Sequence, residues 1–366
     1  MGHSEPIDVR LLADDLTGAL DSAVAFASAG SGVAVTWWPH RHAGARAAID
    51  LATREGGGAE AARRHAEFAP WLSAGRISFK KIDSVLRGHP VAEIAACIEA
   101  GGFERVIVAP AFPFQGRVTR TGRQWRLDRE EQVGPPLGRD LARRFAVAHG
   151  RPGDAPLRRV TVYDAETQHD LDDIVSAVGV RSESTLWVGS GGLAVALARH
   201  LDWTDGAAVA CRGPFLALVG TDNEVTRRQV RHFAERDAQA EIVIGGDVAA
   251  ARARLVERMA RGEPSLVTVA ANGDRRAAAR RVGRAFAELL DGLPKPGTLL
   301  VTGGETLRSV CETLGSARLV VEKAIEPGLP VSRMGGGRFD GVVTISKSGG
   351  FGEPGLFSRL AGAMPA

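Results

Sequence analysis

Along the chain, short β-branched and aliphatic runs alternate with longer alanine-rich stretches whose apolar residues recur at helical spacing. The short runs predict strands at Val9–Ala13, Val33–Trp37, Ile77–Lys81, Arg105–Val108, Val160–Tyr163 and Thr185–Val188. The longer stretches predict helices at Gly18–Ala29, Ala59–Leu72, Val91–Ala100, Leu137–Ala148, Leu171–Val178 and Leu193–His200. This is βαβ rhythm, and it argues for a mainly parallel sheet covered on both faces.

The rhythm breaks at HLDWTDGAAVACRGP, residues 200–214, which is rich in turn formers. A second cycle follows, with strands at Phe215–Val219, Glu241–Ile244, Leu266–Ala270 and Thr298–Val301, then near Leu319–Ala324 and Val342–Ile345. Helices at Glu224–Asp237, Ala249–Arg261, Arg275–Leu290 and Leu307–Leu314 separate them. The expected fold class is α/β, in two domains with mainly parallel sheets, residues 1–205 and 206–366, and an active-site cleft between them.

Composition narrows the class. The chain has 366 residues, enough for two cores of ordinary size. Basic and acidic residues nearly balance, 46 against 43, which argues against nucleic acid even at a sequence pI near 9.0. The densest arginine run, Arg275 to Arg284, is interleaved with Ala and Val and reads as a solvated helix face. Three scattered cysteines, Cys97, Cys211 and Cys311, form no metal spacing and suit a reducing cytoplasm. No apolar run approaches a membrane span, so a soluble cytoplasmic protein is expected.

In open parallel sheets ligands bind beyond the carboxyl ends of strands, so the residues after each strand carry the candidate chemistry. LLADDLTGALD places Asp14 and Asp15 where the first strand stops. Two adjacent carboxylates repel, and a helix N-cap accounts for only one of them. IDLATREGG offers Asp50, Thr53 and Arg54, a set that a surface ion pair would also explain. SFKKIDSVLRGH is denser: Lys81, Asp83, Ser84 and Arg87 precede a helix starting near Pro90. Cations converging on a helix N-terminus suit a carboxylate or phosphate, although an Asp83–Arg87 pair four residues apart would be ordinary. The Pro/Gly-rich stretch Ala109–Gly122 reads as a long loop, which either brings Gln115, Gly116, Arg117 and Thr119 to line the site or form a lid, or is a plain surface excursion.

GSGGLA, Gly189–Ala194, mimics a dinucleotide fingerprint, but its helix runs into the boundary stretch rather than a second strand. Ser190 is no nucleophile elbow, because Val188 stands where that motif needs glycine. In the second half, LLVTGGETLRSV sets Gly303 and Gly304 at a helix start, with Glu305 and Thr306 in its first turn. KSGGFGEPG, Lys347–Gly355, follows a strand and can form an anion-binding nest through Gly349 and Gly350. LVGTDNEVTRRQ adds Thr221 and Asn223. Three such loops in one domain suggest a nucleotide, although no Walker sequence is present.

ADDLTGA, KIDSVLRG, PAFPFQGR, GSGGLA, TGGET and KSGGFGEPG occur in this order in the four-carbon acid sugar kinases, and the chain resembles that family along nearly its whole length. The resemblance implies ATP- and Mg²⁺-dependent phosphorylation of the terminal hydroxyl of threonate, erythronate or 3-oxo-tetronate. It implies an acid-sugar domain followed by a nucleotide domain. It puts catalysis on Asp14 and Asp15, substrate binding on Arg54, Lys81, Asp83, Ser84 and Arg87, and nucleotide contacts on Thr221, Gly303–Thr306, Gly349 and Gly350. A homodimer is among the assemblies it allows, with neither nucleic acid nor membrane as partner. Two departures stand out: Gly220-Thr221-Asp222-Asn223 replaces the family's Gly-Ser-Cys-Ser, and Val85 replaces a common Thr. In this reading Lys81 and Arg87 hold the substrate carboxylate while Asp14 or Asp15 attends the attacking hydroxyl, with Asp83 a third candidate. The competing readings are an acid-sugar and nucleotide binding protein without catalysis, and an NAD-dependent oxidoreductase resting on GSGGLA.

Overall fold

The computed structural model describes residues 8–27, 31–40, 44–156, 158–180, 184–201, 210–270 and 275–363. The chain divides into two compact units, residues 1–206 and 207–366. Residues 202–209, which include the expected boundary, lie outside the described residues.

In the first unit the strands are β1 (Val9–Ala13), β2 (Val33–Trp37), β3 (Arg46–Asp50), β4 (Ile77–Lys81) and β5 (Arg105–Ala109). Three short strands follow, β6 (Arg117–Arg120), β7 (Arg123–Arg126) and β8 (Glu131–Val133), then β9 (Val147–Gly150), β10 (Val160–Tyr163) and β11 (Thr185–Gly189). The helices are α1 (Leu16–Ala23), α2 (Gly58–Ser73), α3 (Pro90–Gly101), α4 (Leu137–Leu141), α5 (Gln168–Val178) and α6 (Gly191–Arg199). The main sheet runs β2-β3-β1-β4-β11-β5-β10-β9, and each of its pairings is parallel. Strands such as β2, β4 and β11 are buried at every position, because helices cover both faces. A core of Leu12, Ile49, Phe68, Phe103 and Leu186 with their neighbours fills one of those faces. After β1 the chain lays β2 and β3 on one side, then crosses to place β4 on the other. The sheet order therefore reverses at β1, and this is where open α/β sheets bind ligands.

Sequence and structure part company at several points here: β3 has no counterpart among the expected strands, and the helix expected over Gly18–Ala29 ends as α1 at Ala23. The helix expected over Leu137–Ala148 stops at Leu141, and Val147–Gly150 instead extends the sheet as β9, its Gly150 lying against the Tyr163 ring. The expected loop Ala109–Gly122 contains the start of an antiparallel β6-β7-β8 sheet. The turn between β6 and β7 is Thr121-Gly122, both at positive φ, as a two-residue hairpin requires.

The second unit holds β12 (Phe215–Val219), β13 (Glu241–Ile244), β14 (Ser265–Val269), β15 (Thr298–Thr302), β16 (Arg318–Ala324), β17 (Pro330–Gly335) and β18 (Val343–Lys347). Its helices are α7 (Glu224–Ala234), α8 (Val248–Ala260), α9 (Arg275–Leu290), α10 (Gly304–Leu314) and α11 (Leu356–Gly362). The order is β13-β14-β12-β15-β18-β17-β16, parallel up to β18 and antiparallel beyond it. This order reverses at β12, so β12, β15 and β18 bring their carboxyl ends side by side. Among the described residues no helix is long and apolar enough to cross a membrane.

Candidate functional site

The first unit gathers its charges beyond β1, β3 and β4, around Arg54. The guanidinium donates from Nε to Asp14 Oδ2 and from Nη2 to Asp14 Oδ1, both at 2.8 Å. Nη2 also lies 2.6 Å from Asp15 Oδ1 and 3.6 Å from Asp83 Oδ1. Backbone bonds set this reach, since Thr53 and Arg54 N–H groups both donate to the Asp14 carbonyl. Asp15 is the N-cap of α1: its Oδ1 accepts from Gly18 N at 2.9 Å, and its Oδ2 from Thr17 Oγ1 at 2.5 Å. A Cβ on Gly18 would sit 2.6 Å from Asp15 Oδ1 and 3.0 Å from Lys81 Nζ, so only glycine leaves room for both groups.

Asp83 and Arg87 form the forked pair that their spacing allows, Nε to Oδ2 at 3.0 Å and Nη2 to Oδ1 at 2.6 Å. Asp83 Oδ2 also accepts from Val85 and Arg87 N–H groups, which folds the 83–88 loop on itself. Gln124 on β7 anchors this loop from outside. Its Nε2 donates to the Ser84 carbonyl at 2.8 Å, and its Oε1 accepts from Thr119 Oγ1. The small sheet thus braces the charged loop, a role invisible while residues 109–122 read as a lid.

These contacts set the protonation states. Burial raises the Asp14 carboxyl, but Arg54, with Lys80 and Lys81, more than offsets it and holds the group below its ordinary range. Burial likewise opposes ionisation of Asp83, and Arg54 and Arg87 override it, again downward. Arg54, desolvated yet flanked by Asp14, Asp15 and Asp83, is pushed well above its ordinary value. Asp14 and Asp83 are therefore ionised, held by Arg54 and Arg87.

Two charged groups remain without such bonds. Lys81 is 5% exposed and its ammonium makes no hydrogen bond or ion pair with any described residue, although Asp14, Asp21 and Asp83 lie in its field. Asp21, half-buried on α1, forms no hydrogen bond with a described residue either. Burial lifts its carboxyl to about 6, Lys81 pulling it down and Asp15 adding to the rise. Asp21 is absent from the residues expected from sequence, since it sits inside α1, six residues or about 1.7 turns beyond Asp15. Behind the site, the fully buried Lys80 Nζ lies 2.8 Å from Glu93 Oε2 and donates to the Lys81 carbonyl, while Thr53 Oγ1 donates to Glu93 Oε1. This buried chain ties α3 to the loops that carry Arg54 and Lys81.

GSGGLA is a packing device. Cβ atoms on Gly189 and Gly192 would fall 2.6 and 2.7 Å from the Ala109 and Ala111 carbonyls, and Ser190 Oγ donates to Ala111 O. Asp50 turns back to accept from Ala52 N.

In the second unit the three expected loops do meet. The β15 loop docks on β18 through Gly303 N donating to Lys347 O at 2.9 Å. Thr306, in the first turn of α10, packs on the Cα of Gly220, and Gly349 packs on Thr221 and Asn223. Gly303 (φ 92°) is the N-cap of α10, Gly304 and Glu305 start the helix, and Glu305 is exposed. Asn223 caps α7, its Oδ1 accepting from Val225 N, while Asp222 is exposed. Glu353 pairs with Arg359 and does not cap α11, whose N-cap is Gly355.

Lys347 organises the final loop, and the sequence reading overlooked it. Its buried Nζ donates to Thr226 Oγ1 and to the Ser348 and Phe351 carbonyls, each at 3.0 Å, with Gly349 O at 3.4 Å. Among the described residues no group of three or more His, Cys, Asp or Glu side chains is arranged to hold a metal ion.

Comparison with known proteins finds one family match within each unit. Residues 9–133 match a sugar-binding N-terminal domain, and residues 216–357 match a nucleotide-binding C-terminal domain. The chain is 32% identical to a D-threonate kinase of Cupriavidus necator, covering 88% of this chain and 89% of that protein. It is 30% identical to a D-threonate kinase of Bordetella bronchiseptica, covering 97% of each. A crystal structure of a Haemophilus influenzae protein superposes with a TM-score of 0.70 over 98% of this chain and all of that one. At 18% identity that likeness concerns the fold.

Proposed function

The chain belongs to the four-carbon acid sugar kinase family, and from that membership we propose that it moves the γ-phosphoryl group of ATP onto the terminal 4-hydroxyl of threonate, erythronate or 3-oxo-tetronate. The observation that carries the reading is the pair of unbonded charges, Lys81 and Asp21, beside carboxylates already satisfied by Arg54. An ammonium that makes no bond among the described residues is left to pair with an anionic or hydroxylated ligand.

In this mechanism Lys81 takes the acid sugar's carboxylate or a hydroxyl, with the Ser84 hydroxyl beside it. Asp14, Asp15 and Asp83 fix Arg54 and Arg87 so that their remaining N–H groups face the ligand. Asp15, the more exposed of the adjacent pair, orients the attacking hydroxyl, and Asp21 receives its proton. ATP, entering as its magnesium complex, is held by the second unit through Thr221, Gly303–Thr306, Gly349 and Gly350. Phosphoryl transfer asks for alignment and charge neutralisation, and these residues supply both.

The test is an ATP/Mg²⁺ coupled assay over a panel of C4 and C5 sugar acids, with Lys81→Met beside wild type. One tetronate should stimulate ADP release, and Lys81→Met should lower kcat/KM for that acid about 100-fold without lowering the melting temperature. Binding without turnover would favour the non-catalytic binding protein. ADP release that no acid stimulates would remove the kinase reading.

A further inference from the structure

We infer that Lys347 is a positioning residue that sets the polarity of the nucleotide loop from within, turning the amides of Gly349, Gly350 and Gly352 outward as phosphate donors without itself touching the nucleotide. The inference rests on the nucleotide-binding reading of the second unit and assigns how that site is built.

The geometry begins with the carbonyls. Lys347 Nζ draws in the oxygens of Ser348, Gly349 and Phe351. Thr226 Oγ1, which accepts from the same ammonium, donates to Gly349 O at 2.6 Å. Gln229 Nε2, from the same face of α7, donates to Phe351 O at 2.9 Å and to Glu353 O at 3.0 Å. Lys347, Thr226 and Gln229 are all completely buried, so they act as an internal template.

A trans peptide unit is planar, with its C=O and N–H antiparallel. Turning the carbonyls of residues 348, 349 and 351 inward therefore turns the N–H groups of residues 349, 350 and 352 outward. Those residues are the first three glycines of the loop. None of their N–H groups has an acceptor among the described residues, whereas Phe351 N, between them, donates back to Ser348 O. Glycine is needed at two of the three for space: a Cβ would lie 2.7 Å from Thr221 Oγ1 at Gly349 and 2.6 Å from Leu356 Cδ2 at Gly352. Outward amides on a glycine loop form an anion nest. Lysine in a phosphate loop commonly reaches the phosphates; here four oxygens occupy it and its side chain is sealed from solvent.

The test uses the full chain with ¹⁵N-labelled glycine, titrated with ADP at fixed Mg²⁺, for wild type, Lys347→Met and Thr226→Val. In wild type, ADP should shift the amide signals of Gly349, Gly350 and Gly352. Lys347→Met should weaken ADP binding roughly tenfold or more and raise the ATP KM with the acid-sugar KM unchanged. Thr226→Val removes one tether and one of the lysine's acceptors while keeping the lysine in place, and should weaken ADP severalfold, which decides the matter if Lys347→Met does not fold. Wild type that fails to bind ADP overturns the nucleotide reading itself. Wild type that binds ADP with those three amides unmoved, or folded variants that bind as wild type does, overturns the inference alone.

Discussion

The two units present opposite ways of preparing a site at the same place in an α/β sheet. In the first, recognition lies in side-chain charge: four aspartates, two arginines and a lysine gather around one switch point. In the second, the loops that meet carry glycines, threonines and an asparagine beside the exposed Asp222 and Glu305, and Lys347, whose pKa burial lowers to about 7, faces inward. The first unit holds fixed charges whose mutual attraction opposes their desolvation. The second presents backbone shape, with no room for a Cβ at Gly220, Gly349 or Gly352. Substitutions should therefore fail differently in the two halves, by charge in one and by volume in the other.

The largest effect should come from Arg54→Leu. It strands Asp14 as a buried carboxylate, while Asp83 keeps Arg87, and should cost about 3–5 kcal/mol in the first unit, with turnover down about 1000-fold. Calorimetric ADP binding should stay at the wild-type value. A variant as stable and active as wild type would show that the cluster is not organised by Arg54.

Next in size is Asp21→Asn, which keeps shape and removes the proton acceptor. We expect kcat to fall about 100-fold with substrate KM nearly constant. In wild type, kcat should decline as pH drops through about 6, because the base works only when ionised and burial lifts this carboxyl to that value. The acid limb should vanish in Asp21→Asn. A limb that persists there assigns the titration to another group.

How much of this was legible in sequence differs between the halves for physical reasons. In the first, Asp14, Asp15, Arg54, Lys81, Asp83 and Arg87 announce themselves because charge beside a strand end is conspicuous, and the structure brings all six together. What sequence could not show is which charges are spent on each other. Asp83 and Arg87 turned out to be partners, leaving Lys81 and the overlooked Asp21 unbonded. In the second, the glycines were visible but not their template, because a lysine at the end of a strand looks like any surface lysine. β3 escaped because Arg46–Asp50 is alanine-rich, and β17 because it opens on Pro330. The β6–β7 hairpin left one readable trace, the turn pair Thr121-Gly122, and its arginine-rich strands show no apolar–polar alternation.

A volume change in the second unit should do less. Gly349→Val adds a branched side chain where a Cβ already lies 2.7 Å from Thr221 Oγ1 and 3.2 Å from Asn223 Cβ. The ATP KM should rise about tenfold, with the acid-sugar KM and the stability of the first unit unchanged. Unaltered ATP kinetics would place the nucleotide away from this loop, and Gly303→Val would then be the next position to examine.

The smallest effect on turnover at neutral pH, and the sharpest contrast in stability, should come from His65. Its ring is fully buried on α2, Nδ1 donating to Ala61 O at 2.8 Å while Nε2 lies 3.6 Å from Glu93 Oε2. Burial, with Lys80 nearby, lowers its pKa to about 4 against 6.5 for an unperturbed imidazole. Between those values the unfolded chain binds a proton that the folded unit refuses, so stability must fall as pH drops through this window. The penalty is bounded at about 3 kcal/mol. Hydrogen exchange on the full chain at pH 6.5 and 4.5, corrected for the intrinsic rate, should show protection of β1, β3 and β4 falling more than that of β12 and β15. His65→Leu should flatten the difference because leucine cannot bind the proton. Equal loss in both sheets would mean that His65 titrates freely, and that the buried chain through Glu93 and Lys80 does not hold the charged cluster in place.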